Sequence, residues 1–99
     1  MHVSNEDYNV LKKISKEIDE FFKHSSLIPD VRSTDIYDFI KRRKPLKDTF
    51  LNGKEFNRFL RRMHKAGIFS QVIPNSEVDI SNPNFYQWHF YRKDRKKTK

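Results

Sequence analysis

No cysteine occurs in this chain, which removes disulfide frameworks, thiolate zinc sites and thiol catalysis together. Glycine is nearly as scarce. Gly53 and Gly67 are the only two in 99 residues, so a glycine-rich phosphate loop cannot be assembled. No apolar run approaches the roughly 20 residues of a membrane span, and the N-terminus lacks the apolar segment of a secretory leader. A cytoplasmic protein without a membrane partner is therefore expected. His2, His24, His64 and His89 are scattered, and none sits in a zinc-helix motif. Asp35 and Asp38 are three apart, but beside a capping position where Asp is common. No catalytic residue, metal or cofactor is expected, and the chain reads as non-enzymatic.

Aromatic residues and positive charge are plentiful. Nine Phe, four Tyr and one Trp argue against disorder, and the length suits one small domain. The formal net charge of +8 is unevenly placed. Residues 1–30 hold four Lys against six acids, whereas residues 31–99 hold 17 basic against seven acidic residues. A basic surface of this kind concentrates phosphate-bearing polymers.

Ser4 followed by Asp7 marks a helix start, and Val10, Leu11, Ile14, Ile18, Phe21 and Phe22 recur at helical spacing behind it. This first helix is expected to turn an acidic face outward, suited to partner contacts. "SSLIPDVR" is a connector, after which Ser33 or Thr34 is expected to cap "DIYDFIKRR". Asn52 with Glu55 resembles a capping box, and Gly67 suits a helix end, so residues 53–66 read as a third helix. "IFSQVI" and "FYQWHFYRK" have strand composition, and the turn-formers of "PNSEVDISNPN" join them as a hairpin. A short strand near Val31 or Leu46 would complete a sheet. The closing "RKDRKKTK", residues 92–99, has six basic residues and nothing apolar, and is expected to be a disordered tail on a domain of residues 1–91.

The expected fold class is α+β: a winged helix-turn-helix of three helices, a C-terminal β-hairpin wing and a basic tail. A helical bundle with an appended hairpin is the alternative. At 100° per residue, Phe56, Phe59, Leu60 and Met63 of the third helix share a core face. Lys54, Arg58, Arg61 and Lys65 fall within about 60° on the opposite side, with Arg62 flanking. Like charges four residues apart repel, so a stripe undiluted by acids favours an anionic partner over simple solvation. In such a fold this helix enters a major groove, and long cations suit phosphates as much as bases. Asn57 and His64 on the shoulder are the other base-edge candidates. In the last strand Tyr86, Trp88 and Phe90 share one face, and Phe85, Gln87, His89 and Tyr91 the other. Exposed rings there would stack unpaired bases. Candidate nucleic-acid-binding residues are thus Lys54, Arg58, Arg61, Arg62, Lys65, Phe85, His89, Tyr91, Arg92, Lys93, Arg95, Lys96 and Lys97.

From Ser33 to about Lys93 the chain resembles the winged-helix domain at the C-terminal end of phage and poxvirus-type primase-helicases. The shared features are "STDIYDFI", a basic stretch with "PL", "GKEFNRFLRRMHKAGIF" and the aromatic strand around Trp88. An ATPase or primase module is not expected ahead of these residues, so no Walker lysine or metal-binding acid is carried over. The resemblance implies a stand-alone DNA-binding accessory protein of phage, plasmid or other mobile-element replication. Single-stranded DNA is expected to bind at least as well as duplex, and a replication polymerase or helicase is the implied protein partner. Two alternatives stand beside this reading: a small dimeric winged-helix transcriptional regulator, and an adaptor that docks a replication enzyme through its first helix.

Overall fold

The computed structural model describes residues 3–25, 28–84 and 86–92. Helix α1 (Asn5–His24) begins as its sequence dictates, with the Ser4 hydroxyl accepting the Asp7 amide at 3.0 Å. Its apolar stripe buries Leu11, Ile14, Ile18 and Phe22. Strand β1 (Asp30–Arg32) comes next, so the short strand forms at Val31, while Leu46 lies in a turn and buries its side chain there. Helix α2 (Ser33–Ile40) starts one or two residues earlier than expected and ends three residues before Arg43, its expected end. Arg32 occupies the cap position without a side-chain bond, and Ser33 is a buried first-turn residue rather than the cap.

Helix α3 (Gly53–Lys65) has both expected boundaries. Asn52 Oδ1 accepts the Glu55 amide at 3.0 Å, and Gly67 leaves the helix at φ +83°, a conformation that favours glycine. The Ile68 amide then reaches the Met63 carbonyl at 3.3 Å, which turns the chain back under the helix. The segment after this turn departs from expectation. "IFSQVI" does not extend but forms the short helix α4 (Phe69–Val72), with Ile73 N–H donating to the Phe69 carbonyl at 2.8 Å. Phe69 and Ile73, four apart, are both buried, a helical spacing that outweighs the β-branched composition. The strand moves into the segment read as loop: β2 (Ser76–Asp79) pairs antiparallel with β3 (Gln87–Tyr91).

The fold is therefore α+β, with four helices and a three-stranded antiparallel sheet of order β1-β3-β2 among the described residues. Val31 pairs with Phe90 and Val78 with Trp88, so those side chains lie on the face packed against the helices. Asp30, Arg32, Glu77, Asp79, Gln87, His89 and Tyr91 take the other face. Among the described residues no helix is long and apolar enough to cross a membrane.

Three arginines fasten the rest of the chain along α1. Near its start, Arg62 donates to Asp7 at 2.8 Å and lies over the Phe59 ring. At its middle, Arg43 pairs with the buried Glu17 and covers Phe39. At its end, Arg92 donates to the carbonyls of Phe22, Ser25 and Ile28, and sits 5.2 Å from the Phe22 ring centre. Carbonyls at a helix C-terminus are ones that the helix itself leaves unpaired. Two expectations change as a result. Arg92 belongs to the folded domain rather than to a tail. The outward side of α1 is mixed rather than acidic: Glu17 and Asp7 turn inward as arginine sockets, while Lys12, Lys13, Lys16 and Lys23 lie on its outer side.

Candidate nucleic-acid interface

Helix α3 buries Phe56, Phe59, Leu60 and Met63, which forces the opposite side of the helix outward. Lys54, Arg58 and Lys65 lie there, and Arg61 is half-buried. The stripe is not free of acid, however. Glu55 lies one turn before Arg58 and accepts from its guanidinium at 2.9 Å. Arg62 stands apart from the other four, because its bond to Asp7 fastens α3 to α1.

Asn57 and His64 lie on the shoulder facing the sheet, and both are engaged within the fold. Asn57 Nδ2 donates to the Tyr86 carbonyl at 3.2 Å, while its Oδ1 accepts from Trp88 Nε1 at 3.2 Å. The His64 ring meets Tyr86 and Trp88 edge-on. These contacts set the end of the β2–β3 loop beside α3. Tyr86 in turn carries Arg61, whose guanidinium carbon lies 4.7 Å from the ring centre. Between this pair and the start of α2 opens a groove of about 550 Å³, bounded by Ser33, Thr34, Tyr37, Asp38, Lys54, Asn57, Arg58, Arg61, Asn84 and Tyr86.

The outer sheet face is a different environment. His89 pairs across the strands with Glu77 on one side and Arg32 on the other, and Tyr91 pairs with Asp30. The Tyr91 hydroxyl donates to Glu77 at 2.7 Å, and this bond pushes its ionisation up to about 12. The Ser81 amide holds the Asp79 carboxyl below the usual range, so that acid stays charged. Three carboxylates against one arginine make this face poor for a phosphate chain. His89 and Tyr91 are thus not brought together with the α3 stripe; Tyr91 instead lines a small cavity against Ile18 and Asp19 of α1. Phe85, Lys93, Arg95, Lys96 and Lys97 lie outside the described residues.

Sequence reasoning missed Tyr37 and Tyr86 as groove residues, since both count as apolar positions of a helix or strand. It also left Arg42, Lys44 and Lys47, all exposed in the segment between α2 and α3, out of the candidate binding residues. Their signal was present as a run of cations around Pro45. Among the described residues no group of three or more acids or histidines is arranged to hold a metal ion. Comparison of the chain with protein-family profiles, curated proteins and solved structures finds no match.

Proposed function

We propose that this chain is a non-enzymatic DNA-binding module of the winged helix-turn-helix type, with α3 as the element laid against DNA. The observation that carries the reading is the outward side of α3, where Lys54, Arg58, Arg61 and Lys65 project from a helix whose other side is wholly buried. The order α1-β1-α2-α3-α4-β2-β3 with β3 central supports this reading, α4 being a single turn ahead of the strands and the β2–β3 loop serving as the wing. Asn57 supports this reading by tying the end of that loop to α3.

Binding is dominated by phosphate contacts and tolerates sequence broadly, because the base-edge candidates other than the arginines, Asn57 and His64, are engaged internally. A role as an accessory factor in replication, alongside a polymerase or helicase, rests on the resemblance to primase-helicase winged helices. The wing itself adds little attraction: Glu77 and Asp79 make its stem acidic.

Titration of single- and double-stranded oligonucleotides of several sequences at two salt concentrations tests this. With about five phosphates neutralised, log K falls against log[salt] with a slope of roughly −4 to −5 on duplex DNA. Affinity differing by orders of magnitude between sequences, with a shallow salt slope, returns the protein to sequence-reading regulation. Absence of binding at low salt removes the proposal.

A further inference from the structure

The groove between α2, α3 and the β2–β3 loop has a polarity that a bare phosphate-binding helix does not need. Its α3 wall is cationic, with Lys54, Arg58 and Arg61, whereas its α2 wall offers the hydroxyls of Ser33 and Thr34 and the carboxylate of Asp38, one oxygen of which pairs with Lys41 at 3.2 Å. Phosphate is drawn to the first wall, which holds the three cations. The N–H edge of a nucleobase fits the second. The groove volume of about 550 Å³ lies within the roughly 300–1,000 Å³ of small-ligand sites.

Its aromatic lining has an order of its own. The rings of buried Trp88 and of Tyr86 lie 6.0 Å apart, centre to centre, tilted by 49°, and the Arg61 guanidinium carbon lies 4.7 Å from the Tyr86 ring centre. This pile runs from the core to the groove and presets Arg61 as a flat cationic surface, the kind on which unpaired bases stack. Across the groove stands Tyr37. Gly53 beside it leaves the ring edge uncovered: a Cβ there would meet Tyr37 Cδ2 at 3.7 Å.

We infer that this groove receives one unpaired nucleotide of a DNA strand, its base stacked on Arg61 and its edge toward Asp38, with the flanking phosphates on Lys54 and Arg58. The inference rests on the DNA-binding reading above and specifies its ligand. It also moves the stacking surface from the outer sheet face to the α3 side.

A duplex with a single bulged 2-aminopurine tests it against the same duplex fully paired and against free 2-aminopurine deoxyribonucleotide. The full chain quenches the bulged base and binds that duplex about tenfold tighter than the paired one, the scale of one base stack. Gly53→Leu fills the groove while leaving every cation in place; it removes the quenching and the preference, and paired-duplex affinity is retained. Arg61→Lys keeps the charge but not the planar surface, and also abolishes quenching. Thermal melting establishes that both variants are folded. Equal binding of bulged and paired duplex without quenching overturns the groove while the phosphate reading stands. Quenching unaffected by Gly53→Leu also overturns it, as does equal quenching of the free nucleotide, which makes the ligand a mononucleotide. No binding to either duplex overturns both readings.

Discussion

The side of the molecule along α1 and the outward side of α3 both take their chemistry from arginine, and they use it in opposite ways. Arg43, Arg62 and Arg92 each point into α1, where a carboxylate or the final carbonyls await them and an aromatic ring covers the guanidinium. Arg58 and Arg61 point away, and the contacts they make, to Glu55 and Tyr86, leave them at the surface. Charge count alone therefore says little about binding capacity. What matters is whether a cation has a socket inside the domain.

Charge reversal separates the two sides most sharply. Arg58→Glu together with Arg61→Glu lowers affinity for every DNA sequence by about 100-fold or more at low salt, measured by fluorescence anisotropy. Unfolding by urea stays nearly unchanged, because surface pairs such as Arg58–Glu55 contribute about 1 kcal/mol at most. A loss confined to one sequence sets the comparison aside in favour of base reading.

Arg43→Ala is expected to do the reverse. It strands Glu17, which is 4% exposed, and costs about 2–3 kcal/mol in urea unfolding, at the modest end because Arg43 itself is about a third exposed. DNA affinity per folded molecule is unchanged. Replacing the pair by Glu17→Leu with Arg43→Met restores most of the stability. A double variant as unstable as Arg43→Ala shows that the charges themselves are required.

The C-terminus offers a finer cut. Ending the chain after Arg92 removes five lysines and arginines, weakens DNA binding and leaves the melting temperature in place. Ending it after Tyr91 also uncaps α1 and costs a further 1–2 kcal/mol or so, on the scale of charged hydrogen bonds. Equal melting temperatures for the two truncations contradict the role given to Arg92.

The smallest effect concerns the outer sheet face. Tyr91 is held neutral up to about pH 12 by its bond to Glu77, against an ordinary value near 10. The folded form thus has the raised value, so the bond's contribution is complete below about pH 10 and is lost as pH rises through 12. At this exposed site it is worth about 1 kcal/mol or less. Absorbance titration finds Tyr91 ionising late, and Tyr91→Phe removes both that step and the alkaline loss of stability. DNA affinity of that variant stays at the parent level, since Tyr91 lies apart from α3. A large fall returns the stacking surface to this face.

Local signals announced α1 and α3 well. Ser4, Asn52 and Gly67 act within one turn of themselves, and the stripes Leu11–Ile14–Ile18 and Phe56–Phe59–Leu60–Met63 repeat over several turns. Residues 68–73 were illegible by composition because a short run rich in Ile, Phe and Val suits a strand or a helical turn equally. Only the turn at Gly67 and the core beneath Phe69 choose between them. Strand β2 was hidden for a related reason: "SEVD" among turn-formers has little propensity of its own and extends because β3 offers it partners.

By itself, the sequence determined the helix boundaries at Ser4, Asn52 and Gly67, the buried side of α3 and hence the outward direction of its four cations. These follow from a fixed 3.6-residue period and from capping groups a few residues away. Tertiary structure decided which arginines remain available, that Asp7 and Glu17 of α1 turn inward, and that Tyr37, Arg61 and Tyr86 share one groove. Such outcomes depend on residues tens of positions apart meeting in space. Asp7 finds Arg62, Glu17 finds Arg43 and Phe22 finds Arg92 only after the core has closed, and no local pattern encodes those distances.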